Sequence, residues 1–215
     1  TKVRGRKDLE DLSIPFIGEI PQYFSKERKL GFKRKKQSYM KTIVVKEGSR
    51  DIINEAFRVL RSNMDFMAGK DKGQNVFVLT SFNPGSGKSF LTMNIAMSFA
   101  IKKKRILVID GDLRHGSVSS YVDSPRIGLS DYLGNRVENW KEIIVADKKY
   151  DNLHILPIGT VPPNPTELLE DGKLATLIGA LRGEYDYIFI DCPPIDIVAD
   201  AQIIEKLADR TIFVV

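Results

Sequence analysis

The segment NPGSGKS, Asn83 to Ser89, follows an apolar stretch from Val76 to Leu79 and precedes a helical pattern from Ser89 to Ile101. A glycine-rich turn ending in Gly-Lys-Ser is a P-loop when it joins a strand to a helix in this way. Gly85 and Gly87 let the backbone curl so that successive N–H groups face phosphates, and the helix N-terminus adds a partial positive charge there. Lys88 is placed to reach the β- and γ-phosphates. Ser89 is placed to give its hydroxyl to Mg²⁺, which takes hard oxygen ligands and keeps several waters. The expected nucleotide-binding set is Gly85, Ser86, Gly87, Lys88, Ser89 and Phe90, with ATP and Mg²⁺ as cofactors. The strict pattern has Gly where this chain has Phe82.

Two further segments complete a phosphate-handling outline. LVIDGDLR, Leu107 to Arg114, is an apolar run ending in Asp110 and Asp112, with Arg114 beyond. In a parallel sheet ligands gather at the carboxyl ends of strands. Two carboxylates there serve Mg²⁺ through water, or one takes a proton from an attacking hydroxyl; otherwise they form an acidic turn closed by Arg114. IFIDCPP, Ile188 to Pro194, repeats the design, and Asp191 is the Walker B candidate. Ser89, Asp110, Asp112 and Asp191 are thus the candidate metal set. Cys192 beside them is read as small core filling.

The rest of the chain alternates in the same manner. Apolar strands at Leu153–Leu156, Tyr187–Ile190 and Thr211–Val215 are separated by helical stretches near Glu138–Ala146, Thr166–Leu181 and Ala199–Leu207. Such alternation predicts a mostly parallel sheet flanked by helices, a three-layer α/β/α domain. The 215 residues suffice for one domain with a substantial core. VPPNPTELLE, Val161 to Glu170, puts prolines before a helix start with Thr166 as N-cap. A single cysteine excludes an internal disulfide, and a reducing setting is expected. His115 and His154 form no zinc pattern. No apolar run approaches the roughly 20 residues needed to span a bilayer.

Charge divides the chain unevenly. Residues 1–50 carry 14 Lys and Arg against 6 Asp and Glu, whereas the remainder carries 19 against 22. The densest stretch, KERKLGFKRKK from Lys26 to Lys36, is either a solvated linker or a segment that lies on an anionic membrane, each basic side chain contributing about 1 kcal/mol. Nucleic acid is not expected as a partner, because the remainder is slightly acidic. Residues 1–46 are therefore read as a basic linker and 47–215 as the P-loop domain. At the start of that domain DIINEAFRVLRSNMDFM spaces Ile52, Ala56, Val59, Leu60 and Asn63 as in a helix. Glu55, Arg58 and Arg61 fall three apart, near one face.

Taken together, the P-loop, the Asp-x-Asp-x-Arg of Asp110, Asp112 and Arg114, and the IFIDCPP segment resemble the bacterial tyrosine kinases of polysaccharide export. These are P-loop kinases unrelated in fold to eukaryotic protein kinases. The resemblance covers roughly Asp8 to Val215 and extends to GLSDYL, Gly128 to Leu133, and to the PPNPTELL stretch. It implies an ATP-dependent tyrosine autokinase regulating exopolysaccharide or capsule synthesis and export. Lys88, Asp110 and Asp112 are then catalytic, with Asp110 the base, and Asp191 completes the metal site. Glu55, Arg58 and Arg61 are similar to the family's oligomerisation motif, implying a ring in which one copy's tail meets another's site. The stretch Asp8 to Pro21 looks juxtamembrane, implying the cytoplasmic domain of an inner-membrane protein whose partners are its own transmembrane portion and the export machinery. Basic residues on that side agree with positive-inside placement.

The seven tyrosines are scattered, whereas the family ends in a tyrosine-rich tail, so the chain is expected to be truncated at its C-terminus. Two rivals share the loop. Partitioning and division ATPases carry a signature Lys five residues before the P-loop Lys, where this chain has Asn83. A non-catalytic module that senses ATP through assembly would need the same loop and no acceptor.

Overall fold

The computed structural model describes residues 6–9, 11, 13–23, 42–68, 73–195 and 199–215. The basic stretch Lys26–Lys36 lies outside the described residues. Among the described residues six strands form one sheet: β1 (Val76–Ser81), β2 (Ile106–Asp110), β3 (Val145–Ala146), β4 (Leu153–Leu156), β5 (Tyr187–Asp191) and β6 (Arg210–Val214). Their order is β3-β4-β2-β5-β1-β6. All pairings are parallel except that of the short edge strand β3 with β4. The four middle strands are near-continuous apolar runs, as strands covered on both faces must be.

Alternation along those strands builds two cores. Phe77, Leu79, Val108 and Phe189 face helices α1 (Ile52–Ala68) and α2 (Lys88–Ala100). Val76, Val78, Leu107, Ile109, Ile188 and Ile190 face the other way, against α3 (Leu129–Leu133), α4 (Pro165–Glu170), α5 (Lys173–Leu181) and α6 (Asp200–Glu205). Helix α2 is buried around most of its circumference from Thr92 to Ala100, because α1 covers the side that the sheet does not.

The structure corrects four local expectations. The buried stripe of α1 is Asn54, Phe57, Leu60 and Met64, while Ile52 and Val59 are 78 % and 56 % exposed. Phe57 rather than Ile52 wins the core because it reaches Phe90 on α2, with ring centroids 6.3 Å apart. Glu138–Ala146 forms a 3₁₀ turn, Trp140–Ile143, and then β3, since Asn139 caps the turn and Ile144 is already extended. The long helix expected over Thr166–Leu181 is two helices, broken at Gly172 with φ +82°, a backbone that L side chains rarely adopt. Finally, Asn164 is the N-cap position of α4, with Pro165 at N1, so Thr166 lies inside the helix.

Part of the basic N-terminal region is docked. Val44 and Val45 are buried among the α1 and α2 side chains. Asn94 Oδ1 accepts from both of their N–H groups, at 2.7 and 3.2 Å, and Asn54 Oδ1 accepts from Lys46 N at 2.8 Å. Two buried amides thus satisfy a strand-like strap that belongs to no sheet. Further ahead, Gly18 lies against Leu60, Ile17 O accepts from Asn63 Nδ2 at 2.8 Å, and Tyr23 stacks on Phe90. Among the described residues no helix is long and apolar enough to cross a membrane.

Candidate functional site: a nucleotide pocket at the carboxyl ends of the strands

Strand β1 ends at Ser81 and α2 begins at Lys88, so the loop 82–87 turns directly over the carboxyl end of the sheet. Gly85 and Gly87 have φ +78° and +89°, and a Cβ at either would meet nothing within 4 Å. The positive φ favours glycine at both positions, and the space beside each is open. Gly87 supplies no side-chain cap to α2, leaving the helix's first N–H groups available to an anion. Lys88 is only 8 % exposed. Burial lowers the pKa of its ammonium, against the opposing pull of Asp191 and Asp112. Phe82 is 60 % exposed and packs edge-on to Phe213 of β6 at 4.8 Å. Its ring is held against β6, which accommodates the departure from Gly at this position.

Three carboxylates face this loop, each held differently. Asp110 and Asp191 are register partners at the ends of β2 and β5. Asp191 Oδ2 accepts from Ser89 Oγ at 2.6 Å and Oδ1 from Thr92 Oγ1 at 3.0 Å. Burial pushes its pKa up to about 6, against those hydrogen bonds. Asp110 Oδ2 accepts from Ser119 N at 2.6 Å and Ser119 Oγ at 2.7 Å, whereas Oδ1 is buried without a protein partner. Burial and then the charge of Asp191 raise Asp110 to about 7, despite Ser119. Asp112 instead caps its own turn, accepting from Arg114 N and His115 N at 3.2 Å and meeting His115 Nδ1 at 3.1 Å.

The Arg114 side chain does not close the Asp112 turn by an ion pair. Its Nε donates to Asp200 Oδ2 at 3.1 Å and its terminal nitrogen to Thr166 Oγ1 at 3.2 Å, while Thr166 Oγ1 donates to Asp200 Oδ1 at 2.5 Å. One arginine therefore ties the loop after β2 to the starts of α4 and α6, which brings the PPNPTELL stretch up to the site. GLSDYL is pinned to the end of β4: Leu129 N and Ser130 N donate to Pro157 O and Ile158 O at 2.8 and 2.9 Å. A Cβ on Gly128 would meet Pro157 O at 2.3 Å, so this close approach admits only glycine.

The residues present suit Mg-nucleotide. Ser89 and the three acids offer hard oxygens, and the buried Oδ1 of Asp110 and the buried Ser86 Oγ lack protein partners. Among the described residues no three His, Cys, Asp or Glu side chains converge as a metal cluster. A small protein share suits an ion that takes phosphate and water oxygens. Cys192, directly after β5, is buried in the core, where burial raises its thiol pKa. Thr92, Ser119 and Asp200 were not visible as site residues in sequence. Thr92, one turn after Lys88, lies where a helix continues the P-loop toward the Walker B acid, and that spacing is the signal that could have found it.

The expected oligomerisation residues sit away from this pocket, on α1. Arg58 pairs with Glu55 and donates to Ser49 O, and Arg61 donates to Ser98 O of α2 at 2.8 Å. Arg58 and Arg61, though not Glu55, line a cavity of about 260 Å³ between α1, the C-terminal end of α2 and residues 45–48.

A mostly parallel sheet, a P-loop after β1 and an acid at the ends of β5 and β2 define a P-loop nucleotide-binding protein, and comparison with known proteins narrows the class. The family described as "AAA domain" matches residues 74–214. The putative tyrosine-protein kinase CapB of Staphylococcus aureus is 35 % identical over 182 residues, 84 % of this chain and 78 % of that protein. A putative tyrosine-protein kinase in the cps region of Klebsiella pneumoniae is 32 % identical over 97 % of this chain, which spans only 29 % of it. Among solved structures, the kinase domain of the Escherichia coli tyrosine kinase ETK matches with TM-score 0.82 and 26 % identity, over 97 % of this chain and 80 % of that one. The septum site-determining protein MinD of Pyrococcus horikoshii, complexed with Mg-ADP, matches less of it: TM-score 0.56 and 28 % identity over 65 % of this chain and 57 % of that one. The chain belongs to the bacterial tyrosine-protein kinases.

Proposed function

We propose that this chain transfers the γ-phosphoryl group of ATP to tyrosines on other copies of the same protein. The observation that carries the reading is Asp110: one carboxylate oxygen is clamped by Ser119 and the other is buried without a partner, beside the Ser89–Asp191 pair. In this reading the P-loop N–H groups and Lys88 hold the phosphates. Ser89 and Asp191 hold Mg²⁺ or its water shell, with Asp110 and Asp112 bordering it. Bound Mg²⁺ supplies neutralisation of the phosphate charge. The acceptor Oη–H bond breaks and its proton goes to Asp110 Oδ1. Oη bonds to the γ-phosphorus as the bond to the bridging oxygen breaks and ADP leaves. Positioning and charge neutralisation carry most of the barrier reduction.

The wider setting is part of the same proposal. Residues 47–215, with the docked strap Val44–Lys46, act as the kinase domain, and the basic residues ahead of the strap act as its juxtamembrane linker. The domain lies on the cytoplasmic side of the inner membrane, attached to a transmembrane portion of the same protein, and regulates capsule or exopolysaccharide export. The relatives' names and the basic N-terminal region support this. Glu55, Arg58 and Arg61 assemble the ring. Arg58→Ala with Arg61→Ala should lower the mass seen by light scattering, and an unchanged mass would leave those side chains as braces between α1, α2 and the 45–50 turn.

Incubating the protein with Mg-ATP and a Glu-Tyr copolymer, and probing for phosphotyrosine, tests the activity. ATP hydrolysis that rises on anionic vesicles without phosphotyrosine would instead favour a division-type ATPase. Asn83 weighs against that rival, as does its poorer coverage of the chain. ATP-dependent assembly with neither hydrolysis nor transfer would favour a non-catalytic sensor.

A further inference from the structure

We infer that Ser119 is a positioning residue that sets which oxygen of Asp110 acts on the acceptor hydroxyl; this rests on the reading of Asp110 as the base. Ser119 sits nine residues beyond Asp110 at the start of the 3₁₀ turn Ser119–Val122, and it is buried. Its hydroxyl has two neighbours of opposite kind. Ile158 N–H donates to Ser119 Oγ at 2.8 Å, and Asp110 Oδ2 lies 2.7 Å from the same oxygen. An N–H can only donate and a carboxylate accepts, so the hydroxyl proton has one direction left, toward Oδ2. The backbone N–H of Ser119 adds a second bond to the same oxygen at 2.6 Å.

The consequence is an asymmetric carboxylate. Oδ2 carries two donors, and Oδ1, equally buried, carries none from the protein. Hydrogen bonds withdraw electron density from Oδ2 and fix the χ angles of Asp110, leaving Oδ1 as the oxygen free to take a proton in one orientation. A free-spinning serine could not impose this; the Ile158 N–H removes the alternative rotamer. Close packing supports the arrangement: Gly116 has φ +61°, and a Cβ there would meet Ile158 Cδ1 at 2.8 Å, so the loop between Asp112 and Ser119 lies tight against the segment that orients the hydroxyl. Ser119 touches neither phosphate nor acceptor in this account and acts through Asp110 alone.

The test compares Ser119→Ala, Ser119→Thr, Asp110→Asn and the Ser119→Ala/Asp110→Asn double variant. Each is assayed for copolymer phosphorylation, for affinity toward a fluorescent ATP analogue, and for melting temperature. Ser119→Ala should lower kcat about 10-fold or more, the scale of one hydrogen bond to a charged group, with nucleotide affinity unchanged within about twofold. Ser119→Thr, which keeps the hydroxyl, should recover most of that rate. The double variant should be no slower than Asp110→Asn, as expected of groups that act as a unit. If Ser119→Ala keeps full kcat while Asp110→Asn loses it, Ser119 has no positioning role and the base assignment stands. If Asp110→Asn itself keeps full kcat, the base assignment falls and this inference with it. Loss of rate in both Ser119 variants together with weaker nucleotide binding and a lower melting temperature would make Ser119 a structural residue only, which also overturns the inference.

Discussion

The two ends of the same sheet treat charge in opposite ways. At the amino ends, acids are matched to arginines. Asp209, just before β6, takes a two-pronged contact from Arg182 at 2.6 and 3.1 Å and also accepts from Val76 N at 2.9 Å. Asp186, before β5, accepts from Arg105 N at 2.7 Å and pairs loosely with its guanidinium at 3.6 Å. At the carboxyl ends, Asp110 and Asp191 lie side by side, buried, without an arginine between them. Burial works to raise Asp209, but Arg182 and Val76 N–H outweigh it and hold its pKa below the usual carboxylate value. At the other end burial wins, and Asp110 and Asp191 rise to about 7 and about 6. One end is built for stability, and the other holds charge that a bound cation and phosphate would complete.

Lys88→Ala should break the comparison most severely. Lys88 is the one buried cation whose charge couples to both Asp191 and Asp112 among the described residues. Its loss removes the cation that offsets their charge and the side chain proposed to hold the phosphates. Phosphotyrosine formation should fall about 10²–10³-fold or more, the scale of losing one preorganised electrostatic contact. Transfer within about threefold of the parent would show that the loop's N–H groups suffice without Lys88.

Asp110→Asn separates function from stability at the same position. Transfer should fall about 10²–10⁴-fold while nucleotide affinity changes little. Stability should move the other way at high pH. Asp110 has a folded pKa near 7 against an ordinary 3.8, so the native state holds the proton more tightly than the unfolded chain. Its contribution to folding is complete below about pH 4 and is lost as pH rises through 7. The nucleotide-free Asn variant should therefore melt several degrees above the parent at pH 8, with the gap closing toward pH 4. A lower melting temperature at pH 8 would mean that Asp110 is already compensated in the free protein.

These contrasts also show which features sequence could display. A P-loop, and an acid at the end of an apolar run, are local: the chemistry and the backbone turn that presents it lie within seven or eight residues. The placement of Lys88, Ser89, Asp110 and Asp191 at the loop and strand ends could be read for that reason, and so could the parallel sheet. Relations across the fold were invisible. Ser119 reaches Asp110 only because the loop after β2 folds back, and Asp200 meets Arg114 from 86 residues away. Val44 and Val45 belong to the core because Asn54 and Asn94 satisfy their strap, although the surrounding charge suggested a linker. On α1 the apolar count favoured Ile52 and Val59, but packing against Phe90 selected Phe57 and left those two in water.

At the amino end the comparison can be sharpened with Arg182→Ala. Arg182 donates to both oxygens of Asp209 and also to Gly73 O and Leu207 O, so its removal leaves several acceptors at the sheet's base without their donor. The cost should be about 1.5–3 kcal/mol, a drop of roughly 4–8 °C in melting temperature. Because Asp209 is held low by that contact, the parent's advantage should shrink as pH falls through the folded pKa of Asp209. Catalysis at the far end should be unaffected once the protein is folded, and a parallel loss of kcat would mean that the two ends are coupled.

Arg105→Ala should have the smallest effect, and for a reason the same geometry supplies. Its guanidinium is more than half exposed and stands 3.6 Å from Asp186 Oδ1, a contact that water screens. The shorter bond to Asp186 comes from the Arg105 backbone N–H at 2.7 Å, which alanine retains. The variant should therefore lose about 0–1 kcal/mol, at most a few degrees by calorimetry, and that small loss should fade in high salt. If Arg105→Ala cost as much as Arg182→Ala, the stability of the amino end would reside in net charge rather than in two-pronged, partly buried geometry. The contrast with the carboxyl end would then be one of charge number, and restoring an arginine beside Asp110 would be expected to stabilise the protein without regard to its orientation.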